Sequence, residues 1–331
     1  MGNEHPASSV ADLLKTHALD LSQYEEVYKH IHANPELSLH EAGTASTIAN
    51  HASLGAYTVH TALGGHGVAG VLTNGSGPTV LLRADMDALP VEERTNLEYA
   101  SKTTFKDPQD GTTTAVMHAC GHDMHVACLL AASEWLAREE VKRTWLGTLI
   151  VVFQPNEERG LQAGQTENVI ADKAVLKIDI RSQHAGTRGK VLKAMRRIVT
   201  KECEASGCEK FPTFEQIRKF PLTVNDESVT NELNQTFTVV FGQAFDPNTV
   251  TSNASEDFSD LATSVDRPYC MWFFGGIDEG KWEKAVKAGR IAEDIPVNHS
   301  ALFAPVIQPT MEIGVKALCA AALTHLGGVV S

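Results

Sequence analysis

The side chains best suited to chemistry gather in Met117-His118-Ala119-Cys120-Gly121-His122-Asp123-Met124-His125. Cys120 and His122 place a thiol and an imidazole two residues apart, one soft and one borderline donor of the kind that holds a divalent metal. Two ligands do not complete a site, because zinc takes three or four, so the others must come from distant parts of the chain. Asp85 and Asp87, in Arg83-Ala84-Asp85-Met86-Asp87-Ala88-Leu89-Pro90, are one source, and Glu157 and Glu158, in Gln154-Pro155-Asn156-Glu157-Glu158, are another. His299, in Pro296-Val297-Asn298-His299-Ser300, is a third. Hydrolysis at a metal gives carboxylates two jobs, holding the ion and taking a proton from water, and adjacent glutamates can divide them. Each acidic motif alone also fits a solvated turn or charged loop. A thiol hydrolase built on Cys120 and His122 is a weaker alternative, since no third group is evident to orient the imidazole.

The elements that must carry these residues can be read from periodicity. Val126, Leu129, Leu130 and Leu136 repeat as in a buried helix, with Asp123 as its expected N-cap. Thr79 to Arg83 and Gly147 to Phe153 are short apolar runs that suit buried strands, and each ends in acid, placing Asp85, Asp87, Glu157 and Glu158 at carboxyl ends, where open α/β sheets bind ligands. Ser22-Gln23-Tyr24-Glu25 has the form of a capping box ahead of a helix that runs to Asn34-Pro35. A second helix is expected over Glu41 to Leu54, a Gly-rich hairpin over Gly64 to Gly77, a strand over Tyr269 to Phe274 and a last helix over Thr310 to His325. His30, His32 and His40 lie near the first helix and read as surface or core-edge residues.

The chain has 331 residues, 43% of them hydrophobic, and a formal net charge of −13. That is enough for one large core or two smaller ones. The acidic balance argues against nucleic acid, whose binders need clustered Lys and Arg, and favours a small-molecule partner. Met1 to Val10 has no apolar signal core, and no apolar run reaches the roughly 18 residues of a membrane span, so the expected location is cytoplasmic with no membrane partner. Six scattered cysteines in a core-rich chain read as reduced thiols.

Taken together the motifs resemble the M20 metallopeptidases, in particular the amidohydrolase branch that cleaves N-acyl amino acids. The resemblance runs through Ile31-His32-Ala33-Asn34-Pro35-Glu36-Leu37, Arg83 to Pro90, His118 to His125, Gln154 to Glu158, Ser255-Glu256-Asp257-Phe258 and Asn298-His299-Ser300. It implies an α/β fold: a catalytic domain with a mostly parallel sheet flanked by helices, residues 1–160 and 223–331, and an α+β lid over 161–222. It implies two divalent ions per subunit, zinc or manganese, with Cys120 bridging them, His122, Glu158 and His299 as further ligands and Glu157 as general base. Asp87, and with it Asp85, would orient ligands. Asn168 and Arg181 match positions that grip the substrate's carboxylate, an N-acyl amino acid being the implied substrate.

The sequence also departs from this family pattern. Gly160 runs directly into Leu161 to Ile170, which resembles the middle of the lid, so the lid is shortened to two strands and a helix near Lys190 to Ser206. A family metal-binding histidine and the lid histidine that polarises the scissile carbonyl are missing with the skipped segment. His184, the nearest histidine along the chain, reads as a surface residue. The family dimerises through its lid, so a homodimer is implied by the resemblance and weakened by the shortening. The alternative function is an impaired or inactive member that only binds metal or acyl amino acids.

Overall fold

In a computed structural model the chain is described over residues 7–108, 111–158, 180, 182, 184–208, 210–215, 222–249, 252 and 256–328. The helices are α1 Ala7–Thr16, α2 Ser22–Ala33, α3 Ala42–Ala49, α4 His122–Ala137, α5 Glu139–Lys142, α6 Ala185–Ala205, α7 Glu227–Phe241, α8 Phe258–Thr263, α9 Glu279–Ala288, α10 Ile291–Asp294 and α11 Thr310–His325. The strands are β1 Thr58–Leu63, β2 Gly67–Asn74, β3 Thr79–Asp85, β4 Thr104–Lys106, β5 Thr113–Ala115, β6 Trp145–Gln154 and β7 Gly327–Gly328. Two compact units emerge, one of Met1–Arg159, Thr230–Asp246 and Trp272–Ser331, the other of Gly160–Val229 and Pro247–Met271. The sequence reading assigned Pro247–Met271 to the catalytic domain.

The first unit is built on a sheet of order β1-β2-β6-β3, with β7 pairing on β6. The expectation of a mostly parallel sheet is corrected here, since among the described residues only β3 and β6 run parallel. The cause is local. Gly64 and Gly65, both at positive φ, close a tight hairpin that turns β2 back antiparallel to β1, and β6 then slots between β2 and β3. The β3/β6 pair is parallel because α4 crosses between them, and its register sets Asp85 opposite Gln154.

Helix α4 is buried nearly all round, with Val126, Leu129, Leu130 and Leu136 wholly enclosed. Each such side chain contributes about 1.5–3 kcal/mol by leaving water. Helix α11, which spans the range read from sequence, packs along α4. Gly314 permits the close approach, because a Cβ there would stand 2.7 Å from Cys128 Sγ.

Three local expectations are revised. The residue capping α4 is Gly121, at φ +87°, a left-handed conformation that Gly adopts without penalty, while Asp123 sits inside the first turn. Ser22 does not close a capping box; its N–H and hydroxyl both donate to Asp20 Oδ1, at 3.0 and 2.7 Å. Tyr269 to Phe274 forms no ladder strand. In the second unit, Met271 is instead held by a side chain, with Asn225 Nδ2 donating to its carbonyl at 2.8 Å and Asn225 Oδ1 accepting from its N–H at 2.9 Å. That unit contains α6 and α8; the lid strands expected through Asn168 and Arg181 lie outside the described residues.

Candidate metal centre

The parallel register of β3 and β6 brings their carboxyl ends together, so the segments that follow, Met86 to Asp87 and Asn156 to Glu158, run side by side. Two hydrogen bonds fix them: Met86 N–H donates to Gln154 O at 3.0 Å, and Glu158 N–H donates to Asp87 Oδ2 at 2.7 Å. Asn156 turns the chain at φ +64°, and its N–H donates to buried Glu41 Oε1 at 2.8 Å. The turn into α4 supplies Cys120 and His122. A fourth segment is strapped onto that turn where His299 N–H donates to Ala119 O at 2.7 Å, with His299 itself at φ +69°.

Within this frame Cys120, His122 and Glu158 each present a donor atom, and the three atoms lie within 4.8 Å of one another. His299 joins from the rim, with Nε2 3.2 Å from Glu158 Oε1 and its side chain 56% exposed. The Cys120 sulfur accepts a hydrogen bond from Asn298 Nδ2 at 3.4 Å. Glu157 is buried, its Oε2 3.9 Å from His122 Nε2.

The ring of His122 is oriented by Asp87. Nδ1 approaches the Asp87 carbonyl at 3.0 Å and Asp87 Oδ1 at 3.2 Å. Both partners are acceptors, so Nδ1 carries the proton and Nε2 is turned towards Glu157, Glu158 and Asp85. Asp87 is held in turn by Ser38 Oγ, which donates to Oδ2 at 2.6 Å. Asp85 Oδ2 lies 3.4 Å from His122 Nε2 and accepts from Arg83 Nη1 at 2.9 Å, while its Oδ1 meets His125 Nδ1 at 2.6 Å.

The electrostatics follow from this packing. Burial raises the Asp85 carboxyl, but His122, Arg83 and His125 outweigh it and hold the group well below the usual range. Asp87 is likewise lowered, against burial, by His122, Ser38 and the Glu158 N–H. Burial disfavours charge on His122, yet Asp85, Asp87 and Cys120 raise its pKa well above the ordinary value. Cys120 and Glu158 lift His299 to about 10.

The donor set fits a divalent metal. Sulfur, imidazole nitrogen and carboxylate oxygen together are the ligand types of zinc and related ions. Glu158 Oε1 is buried and accepts no hydrogen bond, although His299 Nε2 and His122 Nε2 face it at 3.2 and 3.8 Å. A buried anionic oxygen lacking a hydrogen bond is costly, and coordination to a cation would satisfy it. Asp87, bonded to the far nitrogen of His122, is the support that metal-binding imidazoles ordinarily have.

Several residues near this cluster were not picked out from sequence. His32 is wholly buried between Asp123 Oδ2, 2.6 Å from its Nδ1, and Glu93 Oε1, 3.0 Å from its Nε2. These two carboxylates override burial and raise it to about 10. His118 is fully buried with no hydrogen-bond partner on either nitrogen, and burial pushes its pKa down to about 4. His125 pairs with Asp85 and stacks at 5.7 Å from His122; its place three residues after His122, one helical turn on, was a usable signal. His184 is exposed, and Asn168 and Arg181 lie outside the described residues.

No helix among the described residues is long and apolar enough to cross a membrane. The family model of Peptidase family M20/M25/M40 matches residues 81–296. Hippurate hydrolase of Campylobacter jejuni is 42% identical over 163 residues, 49% of this chain and 38% of that protein. IAA-amino acid hydrolase ILR1-like 5 of Arabidopsis thaliana is 38% identical over 149 residues, 43% of this chain and 32% of that one. The chain thus spans well under half the length of these relatives. Among solved structures, the Bacillus subtilis YXEP protein, described as a dinuclear metal binding peptidase from the M20 family, superposes with a TM-score of 0.64, covering 93% of this chain and 98% of that one at 19% identity. At that identity the likeness shows the fold.

Proposed function

Because the chain belongs to peptidase family M20/M25/M40, we propose that it hydrolyses the amide bond of N-acyl amino acids or small dipeptide-like compounds with the help of divalent metal. The observation that carries the reading is the convergence of Cys120, His122 and Glu158 donors within 4.8 Å from distant parts of the chain, with Glu157 beside them. Cys120, His122, Glu158 and His299 would hold the metal, as two zinc or manganese ions. When bound, such an ion supplies Lewis-acid polarisation of the scissile carbonyl and makes water acidic enough to lose a proton near neutral pH.

The chain's own residues do the rest. Glu157 takes the proton from the attacking water and delivers it to the departing amine nitrogen. Asp87 keeps Nε2 of His122 directed at the site through the opposite nitrogen, and Asp85, tied to Arg83 and His125, adds negative charge beside it. Asn168 and Arg181 are the proposed anchors for the substrate carboxylate, for which a guanidinium is well suited. The names of the relatives, hippurate hydrolase and IAA-amino acid hydrolase, support an aromatic or indole-bearing acyl group among the substrates.

The test is hydrolysis of N-acetyl, N-benzoyl and indole-acetyl amino acids with added zinc or manganese, before and after chelation. Activity that the chelator removes, and that Glu157→Gln abolishes while bound metal is retained, is expected. Inactivity towards all three with stoichiometric metal still bound selects the non-catalytic binder, the reading favoured by the missing family histidines. A Glu157→Gln protein as active as the wild type refutes the assigned base.

A further inference from the structure

Helix α6 ends in a tight, well-defined turn. Ser206 caps it, Gly207 stands at φ +69°, the N–H of Cys208 donates to Cys203 O at 3.0 Å and the N–H of Gly207 donates to Glu204 O at 3.1 Å. This pair of bonds, six residues to one enclosing five to two, defines a Schellman motif, in which the side chain three places before the cap meets the one two places after it. An apolar pair usually fills those two positions. In this chain they are Cys203 and Cys208, so the two thiols occupy the positions that the turn brings together. Both are free; Cys203 is half-buried and Cys208 exposed. Cys128 and Cys319, by contrast, are buried in the first unit, where burial raises their thiols and leaves them inert.

We propose that Cys203 and Cys208 form a surface dithiol that closes to an intramolecular disulfide by exchange with low-molecular-weight disulfides. Cys208, the exposed member, is the point of entry: its sulfur loses a proton and attacks one sulfur of the small disulfide, and the leaving thiolate takes up a proton. Cys203 then loses its proton, attacks the Cys208 sulfur of the mixed disulfide and releases the second small thiol. Two protein thiols are oxidised to one disulfide, and one small disulfide is reduced to two thiols. The turn assists because it already brings together two side chains that an unfolded chain must gather by chance, and a disulfide forms only between closely placed Cβ atoms.

The two cysteines lie alone on one tryptic peptide, Glu202 to Lys210. The full chain is equilibrated with bis(2-hydroxyethyl) disulfide and its thiol, quenched in acid, alkylated, digested and weighed by mass spectrometry. The expected product is that peptide lighter by two hydrogens and carrying no alkyl group. Closure in the native protein should be favoured on the order of tenfold or more over the same chain in urea. Gly207→Ala, which leaves ample space for the new methyl but strains the positive φ, should lose that advantage. Thiols that stay alkylated, a separate adduct on each cysteine, or equal closure in native and unfolded chains would each overturn the proposal.

Discussion

Asp87→Asn isolates the part of the site that can be perturbed without removing a proposed ligand. The amide has the carboxylate's shape, so no cavity opens, but only one of its two ends accepts hydrogen bonds. Three donors converge on the native carboxylate: Ser38 Oγ at 2.6 Å and Glu158 N at 2.7 Å on Oδ2, and His122 Nδ1 at 3.2 Å on Oδ1. The Ser38 hydroxyl can rotate to accept instead; the Glu158 amide and the His122 Nδ1–H cannot. Whichever way the new amide settles, one buried donor faces an NH2 group, which costs about 1–3 kcal/mol of stability. His122 also loses the charge that aligns it, and support of this kind is worth roughly 10–100-fold in metal affinity. Denaturation in chelator measures the first quantity, and competition for zinc against a chelating chromophore measures the second. A folded Asp87→Asn protein that binds zinc as tightly as the wild type would refute the role given to Asp87.

His32→Gln should weaken the fold in a pH-dependent way. The native imidazole is raised from 6.5 to about 10, so its contribution is fully present below 6.5 and is lost as the pH rises through about 10, at no more than about 1.4 kcal/mol for each pH unit. The stability difference between wild type and variant, from urea titrations, should therefore shrink from neutral pH towards pH 10, and a constant difference contradicts the buried charged triad. Gly314→Ala should destabilise by about 1–2 kcal/mol by overpacking, since its methyl would lie 2.7 Å from Cys128 Sγ and 3.2 Å from the Phe274 ring. The same change in a Cys128→Ala background should cost less, as a double-mutant cycle in denaturant would show.

Much of this architecture is written in short-range patterns. The apolar runs of β3 and β6 and the long face of α11 stand out because their periods are local, and the acidic residues after each strand mark the edge where they gather. The order of the sheet is not visible in the same way: β6 carries the same kind of apolar run whether its neighbours run with it or against it, and the reversal between β2 and β3 together with the α4 crossover decides. His32 is hard to recognise from sequence for a related reason. Its partners Asp123 and Glu93 are 91 and 61 residues away, so nothing within a window of the chain distinguishes it from a surface histidine. Asp123 has the look of a cap because a carboxylate at the start of a helix has that common use, whereas in the structure it is bonded to His32 and Gly121 makes the turn.

Cobalt titration, monitored by absorption, bears most directly on the centre itself. If Cys120 is a metal-binding thiolate flanked by His122 and Glu158, the wild-type protein should develop an intense sulfur-to-cobalt charge-transfer band that saturates at a fixed stoichiometry and is absent from Cys120→Ser. Saturation without that band, or a band of full strength in Cys120→Ser, would contradict the assignment of this cluster as the metal centre.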